Sequence, residues 1–412
     1  MKLLPASFLA LILTIATHGG DWPHWQGSSM NNYAHEFKWS LENAKIHWKA
    51  NVGVGYSSVI VANGLAYTMG HNGKRKGGLE TVYCVKAMSG ELVWTDTYEA
   101  DPVDYLHKGG PCATPCVHGD HLFTLSKDGR LKCYEAANGK VVWERDMMEA
   151  AGLNQPPEWG FSASPRVIND RLIVEAGKTF ALRTDTGETD WVSFPYQPAY
   201  GTPAPFKHKT RNFLATLKMD GLVILDAFNG KTQATHEWLT SYRTNSSTPI
   251  PLPNSRIFLS TGYKKGCAVF QLREGALTSE NSSLRVVWEN KKLCNHMNQS
   301  IVHEGYVYGF DGNAHMSEPK SLVCLDLDTG EEMWRSGQEL ICGSLLAADH
   351  RFILLGERGQ LMEAPISPKE FKPTHELHVI GKRCWTPPSL ANGMVYCRND
   401  KGDVVCVDAR SN

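Results

Sequence analysis

A glycine followed four residues later by a tryptophan recurs along the chain, at Gly90–Trp94, Gly139–Trp143, Gly187–Trp191 and Gly330–Trp334. The stretch Leu131–Trp143 (LKCYEAANGKVVW) shows the unit in full. An alternating strand runs into Asn138-Gly139, residues that tolerate the positive φ of a tight reversal. Val141-Val142-Trp143 then supplies a β-branched, aromatic return strand. A supersecondary unit repeated at fixed period signals a repeat architecture and overrides the two or three domains that 412 residues would otherwise suggest.

From Ser58 the chain divides into eight segments, most opened by Ser or Thr before Pro or an apolar strand: Ser58, Thr114, Ser164, Thr202, Thr248, Ser300, Ser344 and Pro387. Seven steps span the 329 residues from Ser58 to Pro387, about 47 per step, the period of propeller blades. Each segment carries a second strand (Leu65–Met69, His121–Leu125, Arg171–Glu175 and so on), a glycine turn, a third strand and a fourth. The expected fold is therefore all-β: an eight-bladed propeller of four-stranded antiparallel blades over residues 21–412. Radial closure of that kind protects the strand edges. The last segment ends where its fourth strand would begin, and residues 44–50, holding the orphan strand Ile46–Trp48, are expected to supply it and close the ring. Irregular outer edges are expected in segments four (Ala234 in the tryptophan position, Trp238 late), five (an insertion at Ala276–Ser283) and seven (Glu376–Val379).

The pattern Asp/Ala-x-x-[TSN]-Gly-[EK]-x-x-Trp resembles the pyrroloquinoline-quinone-like propeller repeat, shared by quinoprotein dehydrogenases and the propeller of the outer-membrane protein assembly machine. Asp21–Gln26 (DWPHWQ), Gly110–Pro115 (GPCATP), Trp159–Pro165 (WGFSASP), Thr261–Cys267 (TGYKKGC) and Arg383–Pro387 (RCWTP) are similar to exported propellers described as quinone-binding-like. The resemblance implies eight blades around a central tunnel, with tryptophans interlocking neighbours. It carries fold more firmly than chemistry, because one fold hosts many functions.

Met1–Gly20 reads as a secretory signal, with Lys2 ahead of the apolar run Leu3–Ala16, which is short for a membrane span. No cysteine precedes Cys84, so no lipidated terminus is expected. These features point to a periplasmic or secreted monomer without stable membrane insertion. A formal net charge of -1 leaves no basic field for nucleic acid. Eleven cysteines in an exported chain raise the question of disulfides. However, Cys84, Cys133 and Cys324 each sit six residues before the repeat glycine, and Cys406 holds the same slot in the last segment. Ala181, Ile224 and Val269 fill it elsewhere, so cysteine is expected there as a small buried hydrophobe.

A quinone dehydrogenase needs a cofactor clamp, a divalent cation held by carboxylate and amide oxygens, and a general base. The chain has neither the adjacent cysteine pair that the resemblance implies nor a Cys-x-x-Cys-His haem attachment. Cys112-x-x-x-Cys116 and Cys294-Asn295-His296 lack the second pair usual for zinc. No catalytic residues or metal ligands are assigned. The candidate site is positional. Two residues before each opening strand lies a slot expected at one tunnel mouth: Tyr56, Cys112, Ser162, Tyr200, Ser246, Asn298, Cys342 and Trp385. His107, Trp159, His296 and Arg383 are within reach of it. These residues either plug the tunnel or line a small-ligand pocket. The functional expectation is an exported binding propeller, serving a protein partner or a small ligand and requiring no cofactor. The alternative is an oxidoreductase using pyrroloquinoline quinone and calcium.

Overall fold

The structure, a computed structural model, describes residues 20–105, 107–272 and 282–411. The expected signal segment, Gly20 apart, and most of the 276–283 insertion lie outside the described residues. Eight sheets follow one another around a ring. Blade one covers residues 60–99, blade two 116–146, blade three 166–192 and blade four 204–237. Blade five covers 250–290, blade six 301–335, blade seven 344–378 and blade eight 389–408. The outer strand of blade eight is Lys45–Asn51, antiparallel to Asp403–Asp408, so the ring closes through its N-terminal strand, one residue later than expected. Among the described residues helix is almost absent: one α-helix of five residues, Met147–Ala151, follows blade two, and a 3-10 turn, Pro253–Ser255, lies in blade five.

The Gly–Trp repeat acts between blades. Each repeat glycine has φ near +70°, and its bare Cα lies against the tryptophan of the preceding blade. A Cβ on Gly139 would come within 2.5 Å of the Trp94 ring, and one on Gly90 within 2.7 Å of Trp48. Gly187 meets Trp143, Gly230 meets Trp191 and Gly330 meets Trp288 in the same way. The indole N–H then donates to a carbonyl of the turn ahead: Trp48 to Ala87 (2.9 Å), Trp94 to Ala136 (2.9 Å), Trp143 to Thr184 (3.0 Å) and Trp288 to Leu327 (2.9 Å). Glycine is required because the ring occupies the space a side chain would need, at a backbone angle that other residues adopt only with strain.

The cysteine slot has a matching explanation. Cys84, Cys133, Cys324 and Cys406 pair directly across the strand from Trp94, Trp143, Trp334 and Trp48. A bulge follows each of these pairs and offsets the tryptophan toward the neighbouring blade. Ala181, Ile224 and Val269 stand opposite Trp191, Ala234 and Trp288. All eleven cysteines are free thiols, ten of them buried. In blade four Trp238 replaces the missing tryptophan. It is fully buried, donates to Thr261 Oγ1 of blade five at 2.7 Å, and sets its ring edge-on to Phe270. Blades four and seven each gain a short parallel strand: Ser282–Ser283 beside blade four, and Tyr33–Ala34 on the inner strand of blade seven.

Candidate functional site

The Ser/Thr positions that open the first five segments form a hydrogen-bonded chain along the tunnel wall. The backbone N–H of Ser58 donates to Thr114 Oγ1 (3.1 Å), and that of Thr114 to Ser164 Oγ (2.9 Å). Ser164 N–H donates to Thr202 Oγ1 (3.0 Å), Thr202 to Thr248 Oγ1 (3.2 Å), and Thr248 to Gln299 Oε1 (3.1 Å). The innermost N–H groups have no strand partner on the tunnel side, and a side-chain oxygen of the next blade satisfies them, a hydroxyl in four joints and the Gln299 carboxamide in the fifth. The recurrent Ser/Thr is thus a seam residue.

This chain fixes the slot two residues ahead of it. Tyr56, Cys112, Ser162, Tyr200, Ser246 and Trp385 line one cavity of about 180 Å³, together with His107, Trp159 and His296. Three positions expected there do not line it. Asn298 turns into the joint between blades six and seven, donating to the Gly343 carbonyl and to Cys342 Sγ. Cys342 is buried in that joint, where desolvation pushes its thiol up to about 12. Arg383 lies outside, its guanidinium 4.4 Å above the Trp385 ring. Asn298 and Cys342 match the register of the other slot positions, whereas Arg383 was expected only as a neighbour of Trp385. What separates them is a hydrogen bond within the blade joint and, for Arg383, a stacking contact, neither visible in spacing.

The walls are aromatic. Tyr56 stacks on Trp385 (6.0 Å between centroids) and meets His107 edge-on (5.2 Å), and His107 stacks on Trp159 (5.5 Å). Across the cavity, the Tyr263 hydroxyl lies 3.1 Å from His296 Nε2, and His296 packs against His315 (4.9 Å). Tyr263, His315, Thr244 and Met297 were not identified from sequence: Tyr263 and His315 sit on turns between the second and third strands of blades five and six, and Thr244 and Met297 on the connections leading into those blades. Tyr105 and Tyr242, both largely exposed, extend the aromatic surface outward against Trp159 and Tyr263.

The floor comes from the DWPHWQ stretch. The N-terminal segment crosses the face that carries the turns between first and second strands. It bridges Trp22 to Val61, accepts from Val117 N–H at the Pro23 carbonyl, and sets Trp25 at the base of the cavity. The buried Arg166 holds it there, donating to the Trp25 carbonyl (3.1 Å), Gln26 Oε1 (2.9 Å) and the Pro203 carbonyl (3.2 Å). DWPHWQ stands out in the sequence only as a point of family likeness; its position under the tunnel depends on the long-range contact with Arg166.

The site is electrically quiet. Burial, reinforced by Lys127, lowers His107 to about 3, and burial with His315 nearby lowers His296 to about 3. Both imidazoles are neutral at physiological pH. Burial also lowers Lys127, whose Nζ stands 3.4 Å from His107 Nε2. The indole N–H groups of Trp25, Trp159 and Trp385 have no hydrogen-bond partner. Among the described residues lining the cavity there is no carboxylate or carboxamide. That donor set does not fit a quinone held through a calcium ion, which requires several oxygen ligands and a carboxylate base. It fits a flat, uncharged group stacked between rings and fixed by a few hydroxyls.

Fold and site together define an eight-bladed propeller with a floored tunnel and an aromatic cup at its open mouth. The chain belongs to the family described as outer membrane protein assembly factor BamB, whose profile matches residues 78–336. It is 20% identical over 237 residues to the outer membrane protein assembly factor BamB of Moranella endobia, covering 53% of this chain and 56% of that protein. It is 26% identical over 194 residues to a 1-butanol dehydrogenase (cytochrome c) of Thauera butanivorans, covering 44% of this chain and 26% of the relative. The matches thus span a quarter to about half of these relatives' lengths. Among solved structures, BamB from Moraxella catarrhalis superposes with a TM-score of 0.63 at 14% identity, covering 89% of this chain and 99% of that one. The quinohemoprotein alcohol dehydrogenase of Comamonas testosteroni superposes with a TM-score of 0.68 at 12% identity, covering 96% and 82%. At these identities the superpositions carry the fold alone.

Proposed function

We propose that this protein is a non-catalytic recognition propeller of the cell envelope that holds a flat, uncharged, ring-bearing group in its tunnel mouth. The observation that carries this reading is the cup itself: Tyr56, His107, Trp159 and Trp385 in mutual ring contact, with no carboxylate on the wall. The ring-bearing group belongs to a free small molecule or to a side chain of an envelope partner; the family's description as an assembly factor supports the latter source. The apolar N-terminal run and the same description support the envelope location.

Intrinsic-fluorescence titration with indole, an uncharged bicyclic probe, tests the cup. Saturable quenching is expected for the wild type, weakened at least tenfold in Trp385→Ala. Equal affinity in the two proteins, or no saturation at millimolar indole, sinks the reading. The dehydrogenase relatives favour a second reading, a quinone-dependent oxidoreductase. Alcohol-dependent reduction of an artificial electron acceptor, gained on adding pyrroloquinoline quinone and calcium, would replace the first reading with the second.

A further inference from the structure

On the floor face, away from the cup, His303, Glu304 and His350 bring three ligand atoms together. His303 and Glu304 lie at the turn between the first two strands of blade six, and His350 lies at the equivalent turn of blade seven. We propose that these side chains form a binding site for a borderline divalent cation of the Zn²⁺ class, tying the two turns across the blade joint.

The spacing suits such an ion. His303 Nε2 and His350 Nδ1 are 3.4 Å apart, and Glu304 Oε1 is 3.8 Å from each. Four ligands at bonds of ~2.0–2.1 Å in a tetrahedron stand about 3.4 Å from one another. The nitrogen pair already has that separation, and the carboxylate needs a shift of a few tenths of an ångström. Two imidazoles with one carboxylate suit zinc or copper better than calcium or magnesium.

A second contact orients the first histidine. The Tyr33 hydroxyl lies 2.6 Å from His303 Nδ1 and 3.4 Å from the Val302 carbonyl, and the two rings stack. If the tyrosine donates to the carbonyl, the Nδ1–H donates to the tyrosine and Nε2 keeps its lone pair toward Glu304 and His350. Metal-bound histidines are commonly held this way through their second nitrogen. His303 is anchored, its side chain 13% exposed, whereas Glu304 and His350 are open to solvent at 70% and 73%. An ion can therefore enter from solvent, leaving a fourth position for water. Glu304 and His350 also stand at φ of +47° and +55°, where Gly64, Gly119 and Gly393 appear in the corresponding turns of other blades. The turns hold these side chains in spite of a backbone angle that favours glycine.

The test uses the untagged full chain, stripped with a chelator, and Co²⁺ as a spectroscopic probe with Zn²⁺ competition. One equivalent with an intense visible d–d band, displaced by Zn²⁺, is the expected result. His350→Ala and Glu304→Gln should each weaken Co²⁺ at least tenfold. Tyr33→Phe should weaken it severalfold while the metal-free melting temperature stays at the wild-type value. Binding of equal stoichiometry and affinity in wild type and His350→Ala would locate the ion elsewhere, for instance at the free thiols, and overturn the proposal. Weak octahedral Co²⁺ at millimolar concentration only would overturn it as well.

Discussion

At the residue scale, the neutral histidines give the protein a sensitivity to acid. His296 is buried, with Ala314 N–H donating to Nδ1 and Nε2–H donating to the Tyr263 hydroxyl oxygen. Its folded value of about 3 lies well below the ordinary imidazole value of about 6.5, so between those limits the unfolded chain binds a proton that the native one does not. Stability is therefore lost as pH falls from about 6.5 toward 3, with an upper slope of about 1.4 kcal/mol per pH unit from this group. Chemical denaturation of wild type and His296→Gln across pH 4–7.5 should give curves that converge as pH falls. Parallel curves would show that His296 titrates normally. The sequence placed His296 within reach of the tunnel mouth, but its partners Tyr263 and His315 come from turns of blades five and six that only the fold brings against it.

At the element scale, the joint between blades is a ring fitted onto a glycine. Gly139→Ala must place a methyl group inside the Trp94 contact and hold a φ of +76°. Gly64→Ala meets only the second demand, since nothing lies within 4 Å of its Cβ at a φ of +77°. The expected losses are about 2–4 kcal/mol for Gly139→Ala, from strain plus overpacking, and about 1 kcal/mol for Gly64→Ala. Urea unfolding measures both, and losses equal within error would remove the tryptophan from the explanation. These joints were the most legible part of the chain, because the same local chemistry is written repeatedly at fixed register. The eight segment openings, the cysteine slot and most second strands follow from that register. The exceptions are also local: where Ala234 stands in the tryptophan position, Trp238 reaches blade five by another route. By contrast, Asn298 shares the register of the cup and leaves it for a carbonyl across the joint, and Arg383, expected only within reach of the rim, finds an indole face instead.

At the scale of the whole molecule, closure depends on Arg398. Its buried guanidinium in blade eight donates to the carbonyls of Ser57 (2.6 Å), Met69 (2.6 Å) and Gly53 (3.1 Å) and to Thr68 Oγ1 (3.0 Å), all on the blade-one side. Arg398→Met deprives four acceptors of a donor where water is excluded, at roughly 1–3 kcal/mol for each acceptor left unpaired. The expectation is a loss of at least about 3 kcal/mol, with hydrogen exchange accelerated first along residues 52–69. A loss below about 1 kcal/mol, or exchange accelerated uniformly, would show that the joint holds without it.

The pairing of Asn51 with Asp403 joins positions 352 apart, by strand register and by side chain. At a synthesis rate of roughly 5–20 residues per second, the N-terminal partner emerges some 20–70 s before the strand it must meet. Throughout that interval Lys45–Asn51 lacks the strand it pairs with, although Trp48 already has its docking site, Gly90 and the Ala87 carbonyl, in blade one. Completion of blade eight therefore waits on the emergence of Asp403–Asp408. Ring closure, which leaves no blade terminal in the finished protein, makes the earliest strand of the ring the last to be secured.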